Sequence, residues 1–141
     1  MTINNDLILN SFESAAESLG DITPHVYRRF FLQYPEAESL FNIKGAQFQD
    51  ELKVQMVRDA IYAYLEYLET PEEVEIVFKY TIPQHVDLDI PIRYFIALLE
   101  AVADVVCDSV DDRTQADTKA SWSELLQEFR QMIDRYAKAE A

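Results

Sequence analysis

Thr81-Ile82-Pro83-Gln84-His85-Val86-Asp87-Leu88-Asp89-Ile90-Pro91 is the stretch on which the fold turns. It holds one of the chain's two histidines, and periodic apolar patterns flank it on both sides. Pro83 has no N–H and its ring crowds the preceding turn, so a helix arriving from Pro71 is expected to loosen there, just before His85. A neutral imidazole at a helix end can be an axial iron ligand. It can equally be a core or capping histidine, and the stretch alone leaves both readings open.

Downstream, Asp89 and Pro91 open a helical pattern that carries Phe95, Leu98, Leu99, Val102, Val105 and Val106 on one face. An acidic link over residues 108–112 follows. The last helical pattern then shows Trp122, Leu125, Leu126, Phe129, Met132, Ile133 and Tyr136. Upstream, Thr70-Pro71-Glu72-Glu73 is a helix start, with Thr70 as cap, Pro71 at the first helical position and Glu73 completing a capping box. Val74, Val77 and Phe78 give that helix its apolar side. Residues 50–68 form a long amphipathic helix with Val54, Val57, Ile61, Tyr64 or Leu65, and Leu68 at a 3.6 period.

Nearer the N-terminus, Leu7, Leu9, Phe12, Ala15, Ala16 and Leu19 recur at helical spacing, with Asn5 or Asp6 as cap and Gly20 as stop. Asp21 or Thr23 caps a second helix, where Pro24 suits the first turn and Val26, Tyr27, Phe30 and Phe31 form the apolar face. That helix ends before Pro35, because the residue preceding a proline resists the helical conformation. A short helical turn runs to Phe41, and residues 42–48, with Gly45, make a corner. The expectation is all-α: one domain over residues 1–141, about six to seven helices, and no strand.

Composition agrees with this reading and excludes several function classes. At 141 residues and 49% apolar the chain can bury a substantial core, while two glycines leave little room for hairpin turns. A net charge of -14 argues against nucleic acid and against anionic membrane surfaces, and suits a soluble protein in a crowded or saline interior, or a basic partner. The single Cys107 cannot form an internal disulfide and reads as a small buried apolar residue. The N-terminal residues form neither a signal nor a transit peptide and no apolar run spans a membrane, so a cytoplasmic protein is expected. No catalytic triad, carboxylate pair or phosphate loop is present, and the scarcity of glycine excludes a dinucleotide fingerprint.

The segment Ile22-Thr23-Pro24-His25-Val26-Tyr27-Arg28-Arg29-Phe30-Phe31-Leu32-Gln33-Tyr34-Pro35-Glu36, continuing to Leu40-Phe41, resembles the second and third helices of the globin family. The likeness is to single-domain bacterial haemoglobins and the globin halves of flavohaemoglobins. His85-Val86-Asp87-Leu88-Asp89-Ile90, followed by Tyr94 and Phe95, is similar to that family's His-Val-x-Leu-Gly-Val run. The resemblance covers roughly residues 5–137 and implies a globin fold packed around a pocket for haem b (iron protoporphyrin IX). It places His85 as the proximal iron ligand, Tyr27 over the distal face and Phe41 flat on the porphyrin. It also matches Trp122 to a last-helix tryptophan. The same register puts Lys53 where these haemoglobins usually carry Gln or His, with Val57 one turn on. Ala137 falls where a supporting glutamate is common, and Asp89 where a glycine is common.

A haem slot needs an axial nitrogen, apolar walls and cations for two propionates. His85 supplies the nitrogen; Phe41, Val54, Val57, Ile61, Leu88, Ile90, Phe95 and Leu98 are candidate walls, and Lys44, Lys53 or Arg93 candidate propionate partners. Each wall residue could equally be plain core, and each cation a solvated surface group. Tyr27 could donate its phenolic hydrogen to dioxygen, and His25, about 200° away around the helix, points elsewhere. The function implied is reversible binding of dioxygen or another diatomic gas, in carriage, storage, sensing or nitric oxide dioxygenation with a separate reductase. A haem-free globin-fold module that binds a protein partner is the alternative, and a carrier of another apolar ligand a third.

Overall fold

A computed structural model describes residues 3–41 and 46–139. They form six α-helices and one short 3-10 helix, with no strand among the described residues. The helices are α1 (Asn5–Leu19), α2 (Thr23–Gln33), α3 (Ala46–Glu69), α4 (Pro71–Asp87), α5 (Ile92–Asp108) and α6 (Asp112–Ala139), and the 3-10 helix, Pro35–Phe41, follows α2. The all-α expectation holds.

The helix ends show which polar groups satisfy the free N–H and C=O groups. Asn4, one residue before the expected caps, accepts the Leu7 N–H on its side chain at 3.2 Å and starts α1. Gly20 ends α1 at φ 69, a conformation that costs glycine nothing, and its N–H reaches the Ala16 carbonyl. Asp21, not Thr23, serves the start of α2, taking the Thr23 N–H at 3.0 Å. Hydrogen bonding from Thr23 is the main reason the Asp21 carboxyl sits below the usual carboxylate range. The capping box expected at Thr70 does not form. Its hydroxyl turns back to the Glu66 carboxylate at 2.6 Å, and Thr70 makes no side-chain cap bond.

The largest departure from expectation is at Pro83. Helix α4 does not loosen there but continues to Asp87, so His85 lies inside the helix and not beyond its end. The carbonyl that Pro83 cannot bond is that of Lys79, an exposed residue, where water can serve it.

Helix α5 is the centre of the molecule. Tyr94, Ala97, Leu98, Leu99 and an almost unbroken run from Ala101 to Cys107 are buried, so its apolar surface reaches nearly around the helix. It packs on α2 and α6, while α6 also covers α1 and α4. Cys107 is 4% exposed, and burial pushes its thiol up to about 12, which makes it an inert packing residue.

After α4 the chain reverses through Leu88, Asp89 and Ile90. Asp89 has φ 60, the left-handed region that a side chain normally avoids, and Ile90 returns its N–H to the His85 carbonyl at 3.0 Å. Asp89→Gly should therefore raise the unfolding free energy by about 0.5–1 kcal/mol and Asp89→Val lower it by about 1–2 kcal/mol. Denaturant titration of the two variants checks the sign of each.

Candidate functional site

Because α4 runs on through Pro83, His85 stands one turn after Thr81, and its Nδ1 lies 2.8 Å from the Thr81 carbonyl oxygen. A carbonyl can only accept, so Nδ1 carries the hydrogen, and in the neutral ring Nε2 keeps its lone pair. No group among the described residues bonds that Nε2. The ring is held edge-on to Phe95 at 4.9 Å, and Phe95 packs in turn on Phe78 at 5.7 Å. The neutral imidazole thus has one favoured tautomer and a packed ring, and the residue is half-buried.

A second cluster forms where α2, the 3-10 helix and α3 meet. Tyr27 is 5% exposed and packs on Phe30, Phe31 and Phe41, the last edge-to-face at 5.4 Å. Its hydroxyl donates to the Lys53 carbonyl at 3.1 Å, and burial pushes its phenol well up, so it remains a protonated donor. The Lys53 ammonium lies 5.7, 5.4 and 5.9 Å from the centroids of Tyr27, Phe31 and Phe41. Val57, one turn along α3, is buried against the same core, which joins this cluster to Phe78 and Leu98.

The remaining expected residues divide. Leu98 is buried, and Ile61, Ile90 and Phe95 are half-buried. Val54 instead borders a shallow hollow with Asp50, Gln55 and Arg58. Leu88 is 71% exposed at the end of α4 and joins neither cluster. The Arg93 guanidinium lies on the Tyr94 ring at 4.8 Å, and Lys44 falls outside the described residues. His25 lines an open cleft of about 690 Å³ with Arg29, Leu32 and Asp104, on the side of α2 away from Tyr27.

Two participants were not legible beforehand. The Thr81 carbonyl would have been found by letting the helix continue through Pro83 and looking four residues back from His85. Phe31 had been read only as core, yet it is the ring nearest the Lys53 ammonium. On α6, Ala137 offers no carboxylate, and the Tyr136 hydroxyl goes to Glu75 of α4 at 3.0 Å, leaving His85 with its backbone partner.

Residues 24–133 match the globin family. The chain belongs to that family. A flavohemoprotein from Rhizobium meliloti (strain 1021) is 33% identical over 95 residues, which is 64% of this chain and 23% of that relative. The chain thus spans less than a quarter of that relative's length. No solved structure matches it. Its helices have the all-α globin fold, and family membership supports a globin-type function, gas binding at haem.

The chemistry of this globin's donor set fits haem. A neutral histidine whose Nδ1–H is tied to a backbone carbonyl keeps Nε2 as the nitrogen with a lone pair, the form in which imidazole ligates metals. An apolar wall stands beside it in Phe95, which packs on the core that holds the buried Tyr27 and Phe41. No helix among the described residues is long and apolar enough to cross a membrane.

Proposed function

We propose that this globin binds haem b through His85 Nε2 and reversibly binds dioxygen or another diatomic gas, with Tyr27 as the distal hydrogen-bond donor and the chain acting as one domain. The observation that supports this most is the Nδ1 bond to Thr81, which leaves Nε2 as an oriented lone pair. When bound, haem supplies the iron that holds the gas. The chain's own contribution is to fix the imidazole, exclude water with Phe41, Val57, Phe95 and Leu98, and offer donors on the far side. Lys53 takes the place of the usual distal amide or imidazole. Catalytic turnover, such as nitric oxide dioxygenation, would draw electrons from a separate reductase.

Tyr27 has a single hydroxyl hydrogen, now given to the Lys53 carbonyl. That carbonyl lies within α3 and keeps its helical N–H partner, so releasing the tyrosine costs only about 1 kcal/mol. Donation to a gas that carries partial negative charge is worth roughly 1.5–3 kcal/mol, which favours the exchange. Tyr27→Phe should therefore leave haem uptake intact and speed oxygen dissociation about ten- to a hundredfold. Flash photolysis or stopped-flow displacement measures it. An unchanged rate would mean that the hydroxyl stays on Lys53 and that Tyr27 is purely structural.

A further inference from the structure

Ile76, Val77 and Tyr80 are 55%, 54% and 66% exposed, and all three lie on α4. At about 100° per residue they fall within roughly 100° of one another, on a single face. The buried Val74, Phe78 and Ile82 lie about 150° away around the helix, against the core. No other helix among the described residues exposes three large apolar side chains on one face. Isolated exposed apolar residues are ordinary, but an apolar patch rimmed by polar groups marks an interaction surface.

The rim here is acidic. Glu72 and Glu73, about one turn before the patch, and Asp87 beyond it are exposed and share its face. Lys79, at the edge, is the one lysine or arginine of α4. Glu75 stands on the side toward α6, where Arg135 pairs with it at 3.0 Å, so that pair adds no net charge. A second copy of the chain is a poor occupant. A two-fold contact through this face sets the carboxylates of one chain against those of the other, and like charges across an interface are unfavourable. The net charge of -14 adds to that repulsion.

We propose that the outer face of α4 docks a protein whose contact is apolar at its centre and lined with lysine and arginine. Ile76, Val77 and Tyr80 supply the apolar contact, with Tyr80 as anchor, because its ring packs while its hydroxyl stays wet. Glu72, Glu73 and Asp87 pair with the basic rim and, with the overall charge, speed the encounter. His85 projects about 140° around the helix from Tyr80, so the partner rests on the back of the helix that carries the histidine. The surface is present with or without haem, and the proposal does not depend on the haem-binding reading.

The test is an amide NMR titration of the isotopically labelled full chain with a helical leucine–lysine peptide whose apolar stripe is flanked by lysines. A lysine–serine peptide of equal charge is the control. Saturable shifts centred on residues 72–87 are expected with the first peptide, and much weaker binding with the control. Tyr80→Asp should weaken the leucine–lysine peptide about tenfold or more, and Ile76→Ser should act in the same direction. Glu72→Lys with Glu73→Lys should weaken it about three- to tenfold and flatten its salt dependence. Reversing an exposed acid on α1, Glu17→Lys, should change affinity by no more than about twofold. The altered positions are all exposed, and circular dichroism checks that each variant keeps its helices. Equal affinity in the wild type and Tyr80→Asp would overturn the proposal, as would shifts spread evenly over the acidic surface. A wild-type dimer that Tyr80→Asp converts to a monomer would also overturn it, because the face would then belong to a second copy.

Discussion

Trp122→Ala is expected to lower the unfolding free energy by about 3–5 kcal/mol. Trp122 is 2% exposed and meets Tyr64 edge-on at 4.6 Å and Phe12 at 5.5 Å, so its indole joins α6 to α3 and α1. Tyr64 stacks on Phe129 at 4.6 Å and donates its hydroxyl to the Leu99 carbonyl at 2.8 Å, which carries the contact on to α5. The indole N–H donates to the Ser11 hydroxyl at 3.0 Å, and that hydroxyl donates to the Ile8 carbonyl. Truncation removes the largest buried side chain and orphans the Ser11 oxygen as an acceptor, so cavity and polar costs add. Chemical denaturation reads the change. A loss under about 1 kcal/mol would show that the four helices do not converge on this ring.

The second large effect concerns His85. Porphyrin burial removes several hundred Å² of apolar surface from water, worth on the order of 10 kcal/mol before costs, and most of that survives loss of the imidazole. His85→Ala should therefore still take up hemin, but without a fixed axial bond or a fixed orientation. The expected outcome is a fall in haem affinity of at least about a hundredfold, with a broadened Soret band and no defined stoichiometry. Thr81 is informative here only through its carbonyl, so Thr81→Val should leave the spectrum unchanged.

The helices were largely legible because their signals are local. The stripe Val54, Val57, Ile61, Tyr64 and Leu68 fixed the long helix, and Gly20 and Pro35 marked ends that the structure keeps. Errors fell where a tertiary or solvent partner replaced the local one. The helix was expected to loosen at Pro83 because the ring removes a bond, but the carbonyl left without that bond belongs to Lys79, an exposed residue, and the helix continues. Thr70 has the residues of a capping box, yet a neighbouring Glu66 side chain competes for its hydroxyl. Leu88 fits an apolar lining by type, and the left-handed turn at Asp89 leaves it facing solvent. For the proposed site, the motifs that resemble the globin family pointed to His85, Tyr27, Phe41 and Lys53. What they could not give was the tautomer of the imidazole or the three-ring cage, since both depend on groups brought together only by folding.

The central claim is that His85 presents Nε2 to haem iron. It is tested most directly by an absorption titration of the purified chain with hemin, run beside His85→Ala. A sharp Soret band that saturates at about one haem per chain, and is broadened and unsaturating in the variant, is the predicted result. Weak, unsaturating uptake that is the same in both proteins would contradict it, and would favour a haem-free globin fold that serves a protein partner.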